Sequence, residues 1–292
     1  LPSRFFEKAS ALIQKGGNMP TTSVNGVRLL YELNGTDEIP LVLVHGAWSS
    51  HHTWDRVAPR LAESFRVLTY DRRGHSGSER PVGQGSVRED VADLAALIEH
   101  LGLAPAWVAE SSFGATITLR LASERPDILL GIICHEPAPL FSLLADDPAF
   151  ASMLYEVSRK EQAVVERIAS GDHAGAAEQF VETVALGPGS WTQLPPQLRQ
   201  TLIENAPSFL DEVNDPERNE FDLDELKGFS QPALLTLGDQ SPPFYAPIVA
   251  MFGKVLNRAK TVTFPGAGHV PYNTHPEAYI EVVTAFIREH TE

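Results

Sequence analysis

At 292 residues the chain can fold as one large α/β domain with an insertion or as two small domains, and a hydrophobic share of 43% supplies a sizeable core and argues against disorder. A net charge of −15, with a pI near 5.1, argues against nucleic acid and anionic membrane surfaces as partners. The single cysteine, Cys134, excludes an internal disulfide framework and a Cys-rich zinc site, and no run reaches the roughly eighteen apolar residues of a membrane span, so a soluble cytoplasmic protein is expected.

Residues 1–21 read as an N-terminal extension: Phe5, Phe6, Leu12 and Ile13 recur at loosely helical spacing before Gly16-Gly17, without the continuous apolar stretch of a secretory signal. Val24-Asn25-Gly26-Val27 predicts a hairpin with an Asn-Gly turn, continued by a strand over residues 27–33. Residues 39–44 form a continuous apolar run, the mark of a strand buried on both faces, and the run stops at His45-Gly46-Ala47-Trp48. Helical periodicity follows through Trp54, Val57, Ala58 and Leu61. Residues 67–70 predict the next buried strand, ending at Asp71-Arg72-Arg73-Gly74-His75-Ser76-Gly77-Ser78. Residues 87–101 predict a helix with Val91, Leu94, Ala95 and Ile98 on one face. A strand at residues 106–109 leads into Glu110-Ser111-Ser112-Phe113-Gly114-Ala115, and another at 128–134 ends at His135-Glu136-Pro137.

Strands alternating with helices imply parallel order and right-handed crossovers, hence a mostly parallel, doubly wound α/β sheet. Sites in such sheets lie at the carboxyl ends of the strands, where His45-Gly46, Asp71, Ser112 and Glu136 all fall. Residues 138–228 break the rhythm. They read as helices over 147–159, 160–169, 174–184 and 196–205, with no strand-like run, and we expect a helical lid inserted into a core of residues 22–137 and 229–292. Phe141, Leu143, Leu144, Met153, Trp191, Phe209 and Leu210 could line a substrate pocket there, although for any one of them packing onto the core is the better expectation. Strands resume at residues 232–237 and 261–264, and a helix over 276–290 closes the chain.

The serine pair at the strand-to-helix turn carries the chemistry. Such a turn exposes a hydroxyl and aims the first amides of the helix at whatever it attacks. Two registers are open. With Ser111 at the tip, the bulky Phe113 falls where the chain must pack tightly; with Ser112, Gly114 and Ala115 fall there and only Glu110 is unusual. We take Ser112. His269, in Gly266-Ala267-Gly268-His269, follows the last strand on a small-residue loop and completes the chain order serine, acid, histidine. An imidazole is required because an ordinary serine hydroxyl is a poor nucleophile at neutral pH.

With these residues in view the chain resembles the α/β-hydrolase superfamily over about residues 22–292, through His45-Gly46-Ala47-Trp48, the Asp71 to Ser78 run, the Ser112 turn and Gly268-His269. The resemblance implies an α/β-hydrolase fold and an oxyanion hole made by the backbone N–H groups of Ala47 and Phe113. It assigns Asp71 and its glycines a structural turn. Most members carry their acid as an aspartate after the strand that follows the lid, but Gly238-Asp239-Gln240-Ser241 puts Ser241 at that position and Asp239 two residues early. Glu136, by contrast, ends the strand after the nucleophile's helix, and Cys134-His135-Glu136 is similar to the fungal zearalenone lactonases. Glu136 is therefore the expected acid, with Asp239 the alternative.

His51-His52, near His45 and His75, lack the spacing of a metal motif, and no glycine-rich phosphate loop occurs, so neither metal nor cofactor is expected. The expected activity is serine-dependent cleavage of a small hydrophobic carboxylic ester or lactone. A lyase or cofactor-free oxidoreductase on the same triad, and a non-catalytic receptor of the same fold, stand as alternatives. Assembly as a homodimer is left open.

Overall fold

The computed structural model describes residues 19–138 and 140–291. Residues 1–18, most of the expected N-terminal extension, lie outside the described residues. In chain order the elements begin with β1 (Thr21–Val24), β2 (Val27–Asn34), β3 (Pro40–Val44), α1 (Ala58–Leu61), β4 (Arg66–Tyr70), α2 (Val87–His100), β5 (Ala106–Ser111), α3 (Phe113–Glu124) and β6 (Leu129–His135). The helices α4 (Pro148–Ala169), α5 (His173–Phe180) and α6 (Pro196–Asn214) follow, and the chain ends with β7 (Ala233–Gly238), α7 (Tyr245–Val255), β8 (Ala259–Phe264), α8 (Pro271–Thr274) and α9 (Pro276–Glu289).

The eight strands form one sheet in the order β1-β2-β4-β3-β5-β6-β7-β8. β2 runs antiparallel to β1 and β4, and every other pairing is parallel. The order reverses at β3: β4 lies on one side of it and β5 on the other, which opens a crevice beyond the carboxyl ends of β3 and β5. Period-two alternation feeds two cores. Val42, Val44, Val108, Ile132 and Leu235 pack with α2, α3 and α7 on one face. Leu41, Leu43, Ala109, Ile133 and Leu234 pack with α1 and α9 on the other. Burying each such side chain stabilises the fold by about 1.5–3 kcal/mol, which is why these strands read as continuous apolar runs.

The insertion between β6 and β7 has no strand among its described residues and carries its own cluster of Val164, Ile168, Ala177, Val181, Ala206 and Phe209. Its helix boundaries differ from those expected. Residues 147–159 and 160–169 are one helix, α4, because nothing at Arg159-Lys160 interrupts it. α6 continues past Asn205 through Pro207, since buried Ala206, Ser208, Phe209 and Glu212 hold the helix across the lost proline hydrogen bond. Upstream, the expected helix around Trp54 is a 3₁₀ turn, His51–Trp54, followed by the single turn of α1, with Pro59 in its first turn. No helix among the described residues is long and apolar enough to cross a membrane.

Candidate active site

β5 ends at Ser111 and α3 begins at Phe113, so Ser112 alone makes the turn between them. Its backbone sits at φ 58°, ψ −123°, a region an L-residue occupies only when its surroundings impose it, at a cost of about 1–3 kcal/mol. The surroundings do so through hydrogen bonds: Ser112 N–H donates to the His135 carbonyl (3.0 Å), and its own carbonyl accepts from Ala138 N–H (3.2 Å). Ser112 is half-buried, whereas Ser111 is buried and accepts from Tyr272 Oη (3.4 Å). A side chain at Gly114 would meet the Val44 and His45 carbonyls at 2.7 and 2.9 Å, so α3 can approach β3 this closely only with glycine there. At Gly46 a side chain would stand 3.0 Å from Ser112 Cβ, which shows how near the loop after β3 runs to the serine.

His269 stands in the loop between β8 and α8, and its Nδ1–H donates to Glu136 Oε2 at 2.6 Å. Glu136 also has a positive φ of 44°, at the turn where the chain leaves β6. Its other oxygen accepts from Gly238 N–H at the end of β7 (2.8 Å). Burial works against the charged carboxylate, but the His269 bond, the imidazoles on either side and the Ser241 hydroxyl hold it below the usual carboxylate range. Asp239 is exposed and turned elsewhere; it accepts from Gly266 N–H (2.7 Å) and Gln240 Nε2 (3.1 Å). The carboxylate bonded to His269 is thus Glu136. The far nitrogen of His269, Nε2, has Tyr245 Oη at 3.4 Å, and no hydrogen bond joins it to Ser112.

Phe113 is the first residue of α3, where an N–H has no intrahelical carbonyl to bond, and Ala47 follows Gly46 beside Ser112. Trp48, next in that loop, has φ 63° and is buried against Phe180 (4.7 Å) and Phe209 (4.9 Å) of the insertion. Arg72, fully buried, donates to the Gly46 carbonyl (3.3 Å), to Asp90 of α2 (3.1 Å) and to Glu212 of α6 (2.5 Å). Its guanidinium also lies 4.9 Å from the centre of the Phe113 ring. Burial pushes Asp90 up to about 7, against the pull of Arg72, with Glu212 and Asp93 adding to the rise.

The other polar residues noted in the sequence have structural partners. Asp71 accepts from the backbone N–H and Nδ1 of His51 (2.8 Å each) and from Gly77 N–H (2.9 Å). His45 accepts from Arg72 N–H (3.0 Å), and burial and then Arg72 lower its pKa to about 3. His52 pairs with Asp55 at the surface. Glu110 is fully buried; it accepts from its cross-strand neighbour Cys134 (2.6 Å), and burial pushes its carboxyl well above the usual range, against the Cys134 bond. The apolar residues considered as pocket lining pack instead: Leu144, Phe141, Leu143 and Met153 against the main core, and Phe209, Trp191 and Leu210 within the insertion's cluster.

His135, Glu136 and His269 bring one metal-capable atom each within 4.8 Å of one another. Ligands on a tetrahedral zinc at about 2.0–2.1 Å stand roughly 3.3 Å apart. At 2.6 Å the His269 and Glu136 atoms are closer than that, which is the spacing of a charge-assisted hydrogen bond. Three residues of this neighbourhood, Arg72, Tyr245 and His135, were not singled out from the sequence. Arg72 stood inside the turn assigned to structure, His135 beside the expected acid, and Tyr245 carries no local signal.

A family model described as alpha/beta hydrolase family matches residues 41–282. The dihydrolipoyllysine-residue acetyltransferase component of the acetoin cleaving system of Pseudomonas putida is 28% identical over 95% of this chain and 71% of its own length. The pimeloyl-(acyl-carrier protein) methyl ester esterase of Sodalis glossinidius (strain morsitans) is 22% identical over 89% of this chain and 98% of its own. Among solved structures, the enol-lactonase from Burkholderia xenovorans LB400 superimposes with a TM-score of 0.74 at 19% identity, over 92% of this chain and all of that one (100%).

Proposed function

The chain belongs to the alpha/beta hydrolase family, and from that premise we propose that it is a cofactor-independent serine hydrolase of carboxylic esters or lactones that works through an acyl-enzyme on Ser112. Ser112 Oγ attacks the carbonyl carbon while His269 Nε2 takes its proton. The carbonyl π pair moves onto oxygen, and the Ala47 and Phe113 N–H groups hold the resulting oxyanion. Collapse re-forms the carbonyl and breaks the bond to the alkoxy oxygen, which receives the proton from Nε2. Water then repeats the sequence on the acyl-enzyme, with His269 as base again. Glu136 keeps the proton on Nδ1 and stabilises the imidazolium. Residues 138–228 act as the lid.

The observation that carries this reading is the 2.6 Å bond from His269 to a buried, ionised Glu136, beside a serine held in a constrained turn. Nε2 makes no hydrogen bond to Ser112 in this structure, and catalytic hydrogen bonds commonly tighten only when substrate binds. The esterase and lactonase names among the relatives support the bond type. The test is turnover of short-chain p-nitrophenyl esters together with fluorophosphonate labelling. Ser112→Ala should lower kcat roughly 10⁴-fold or more and abolish the adduct. An adduct mapped to Ser111, or no turnover by the wild-type protein, would overturn the reading.

A further inference from the structure

The two N–H groups assigned to the oxyanion belong to loops that share one buried neighbour, Arg72. Its Nη2 donates to the Gly46 carbonyl (3.3 Å), and its guanidinium centre lies over the Phe113 ring, 4.9 Å from the ring centre. Its backbone N–H donates to His45 Nε2 (3.0 Å). That leaves the hydrogen of this buried, neutral imidazole on Nδ1, where it bonds the same Gly46 carbonyl at 2.8 Å. We propose that Arg72 is a positioning residue for the oxyanion hole, aiming the Ala47 N–H by holding the Gly46 carbonyl and seating Phe113 by lying on its ring. The proposal rests on the serine-hydrolase reading above.

The Gly46 carbonyl and the Ala47 N–H are two ends of one peptide unit. The unit is planar and trans, so the two bonds point in opposite directions and turning one turns the other. Gly46 has no side chain to limit that rotation, and Ala47 N–H makes no backbone hydrogen bond among the described residues. The carbonyl is therefore the end by which the unit is held, from His45 and from Arg72, and the N–H is aimed away from both. The guanidinium is itself fixed. Asp90 accepts from Nη1 (3.1 Å) and Glu212 from Nη2 (2.5 Å), while His75 Nε2 (3.1 Å) and the Gly46 carbonyl share what Nη2 has left. On its other side the cation is attracted to the face of Phe113, the residue that carries the second N–H. One anchored side chain thus bears on both donors.

Arg72→Met removes the donor and the charge. Its turnover of a p-nitrophenyl ester is measured per active site, with sites counted by fluorophosphonate labelling carried to completion, so that unfolded molecules drop out. Losing an oxyanion donor outright costs about 10²–10³ in kcat; here the Ala47 N–H is misaimed rather than lost, so kcat per site should fall about ten- to a hundredfold with KM little changed. Affinity for a trifluoromethyl ketone should fall by the same factor. Ser112 Oγ adds to its carbonyl carbon, the π pair moves onto oxygen, the Oγ proton goes to His269 Nε2, and the resulting oxyanion needs the same two N–H groups. A residue that only packs would lower the number of labelled sites and leave both quantities per site unchanged. Arg72→Lys keeps a charge for Asp90 and Glu212 but lacks the fork that also reaches Gly46. It carries the test if the methionine variant does not fold, with an expected loss of about three- to tenfold in both quantities. In a folded variant, kcat per site within about twofold of wild type, or a fall in kcat without a matching fall in ketone affinity, would overturn the proposal. The two readings fail separately: an inactive wild-type protein sinks the hydrolase assignment, whereas an active one with unaffected Arg72 variants sinks only the role of this arginine.

Discussion

Strands β3, β5 and β6 reach the site as buried apolar runs hydrogen-bonded on both sides, whereas the helices of the insertion reach it through side chains: an aromatic cluster, a buried ion pair and the hydrogen bonds of Asn205 and Ser208. The sheet fixes Ser112, Glu136 and the loop of Gly46 relative to one another by backbone geometry. The insertion touches that frame at Trp48, through Phe180 and Phe209, at the Ser49 carbonyl, through Asn205 Nδ2, and at Arg72, through Glu212. The difference is one of backbone against side-chain contact. A strand is held by its ladder of backbone bonds, while α6 docks through separate side chains, each of which a single substitution can remove. Changes on the sheet side should therefore appear in the chemical step, and changes on the insertion side in stability and substrate binding.

The largest effect should come from the sheet side. Glu136→Gln keeps the shape of the side chain but removes the charge that orients His269, and kcat should fall by roughly 10⁴ with KM little changed. Asp239→Asn, which loses only loop hydrogen bonds, should cost less than about tenfold. Steady-state kinetics on both, with circular dichroism as the folding control, decides between them. A crippled Asp239 variant beside an active Glu136 variant would move the acid to the loop after β7.

On the insertion side, Glu212→Ala strips Arg72 of one of its two buried carboxylates. Breaking a buried pair costs about 3 kcal/mol, so the urea midpoint should drop clearly, and KM for bulky esters should rise more than kcat falls. Glu212→Gln, which still accepts from Arg72, should be milder. If Glu212→Ala instead lowers kcat alone, the insertion acts on the chemistry, and the division between the two regions fails.

How much of this was legible beforehand follows the same division. The strands are readable to within a residue or two because burial on both faces forces long apolar runs, as at Leu41 to Val44 and Ile132 to Cys134. Ser112 is readable because only small residues, Gly114 above all, let α3 approach β3. The insertion is not readable at the same level. Pro207 looks like a helix end, and what carries α6 past it is the burial of Phe209 and Glu212 against distant partners. Chain order alone permits Glu136 or Asp239 beside His269. The left-handed turn at Glu136, which no local pattern announces, goes with the carboxylate that bonds it. Tyr245 is the extreme case, since only the folded chain brings it to His269.

The smallest effect concerns Glu110, whose cross-strand bond to Cys134 makes the glutamate part of the sheet's packing rather than a faulty turn residue. Its carboxyl pKa is raised well above 4.5 in the folded protein, by burial first. Between about 4.5 and that raised value the unfolded chain releases a proton that the folded chain retains, so this group makes stability fall as pH rises. Glu110→Gln has no proton to lose. Its stability relative to wild type should therefore increase from pH 4.5 toward pH 8, by urea unfolding at several pH values, and a flat difference would mean that Glu110 is charged in the fold. Glu110→Gly, which leaves a void beside Cys134, should destabilise by about 2 kcal/mol or more.

The bond from Gly238 N–H to Glu136 bears on mechanics as well as on chemistry. β6 and β7 are neighbours in the sheet, and the carboxylate that starts from the end of one is anchored on the end of the other. The carboxylate that orients His269 is thus tied to two strand ends at once, so a shift of β7 against β6 would move the acid as surely as a substitution.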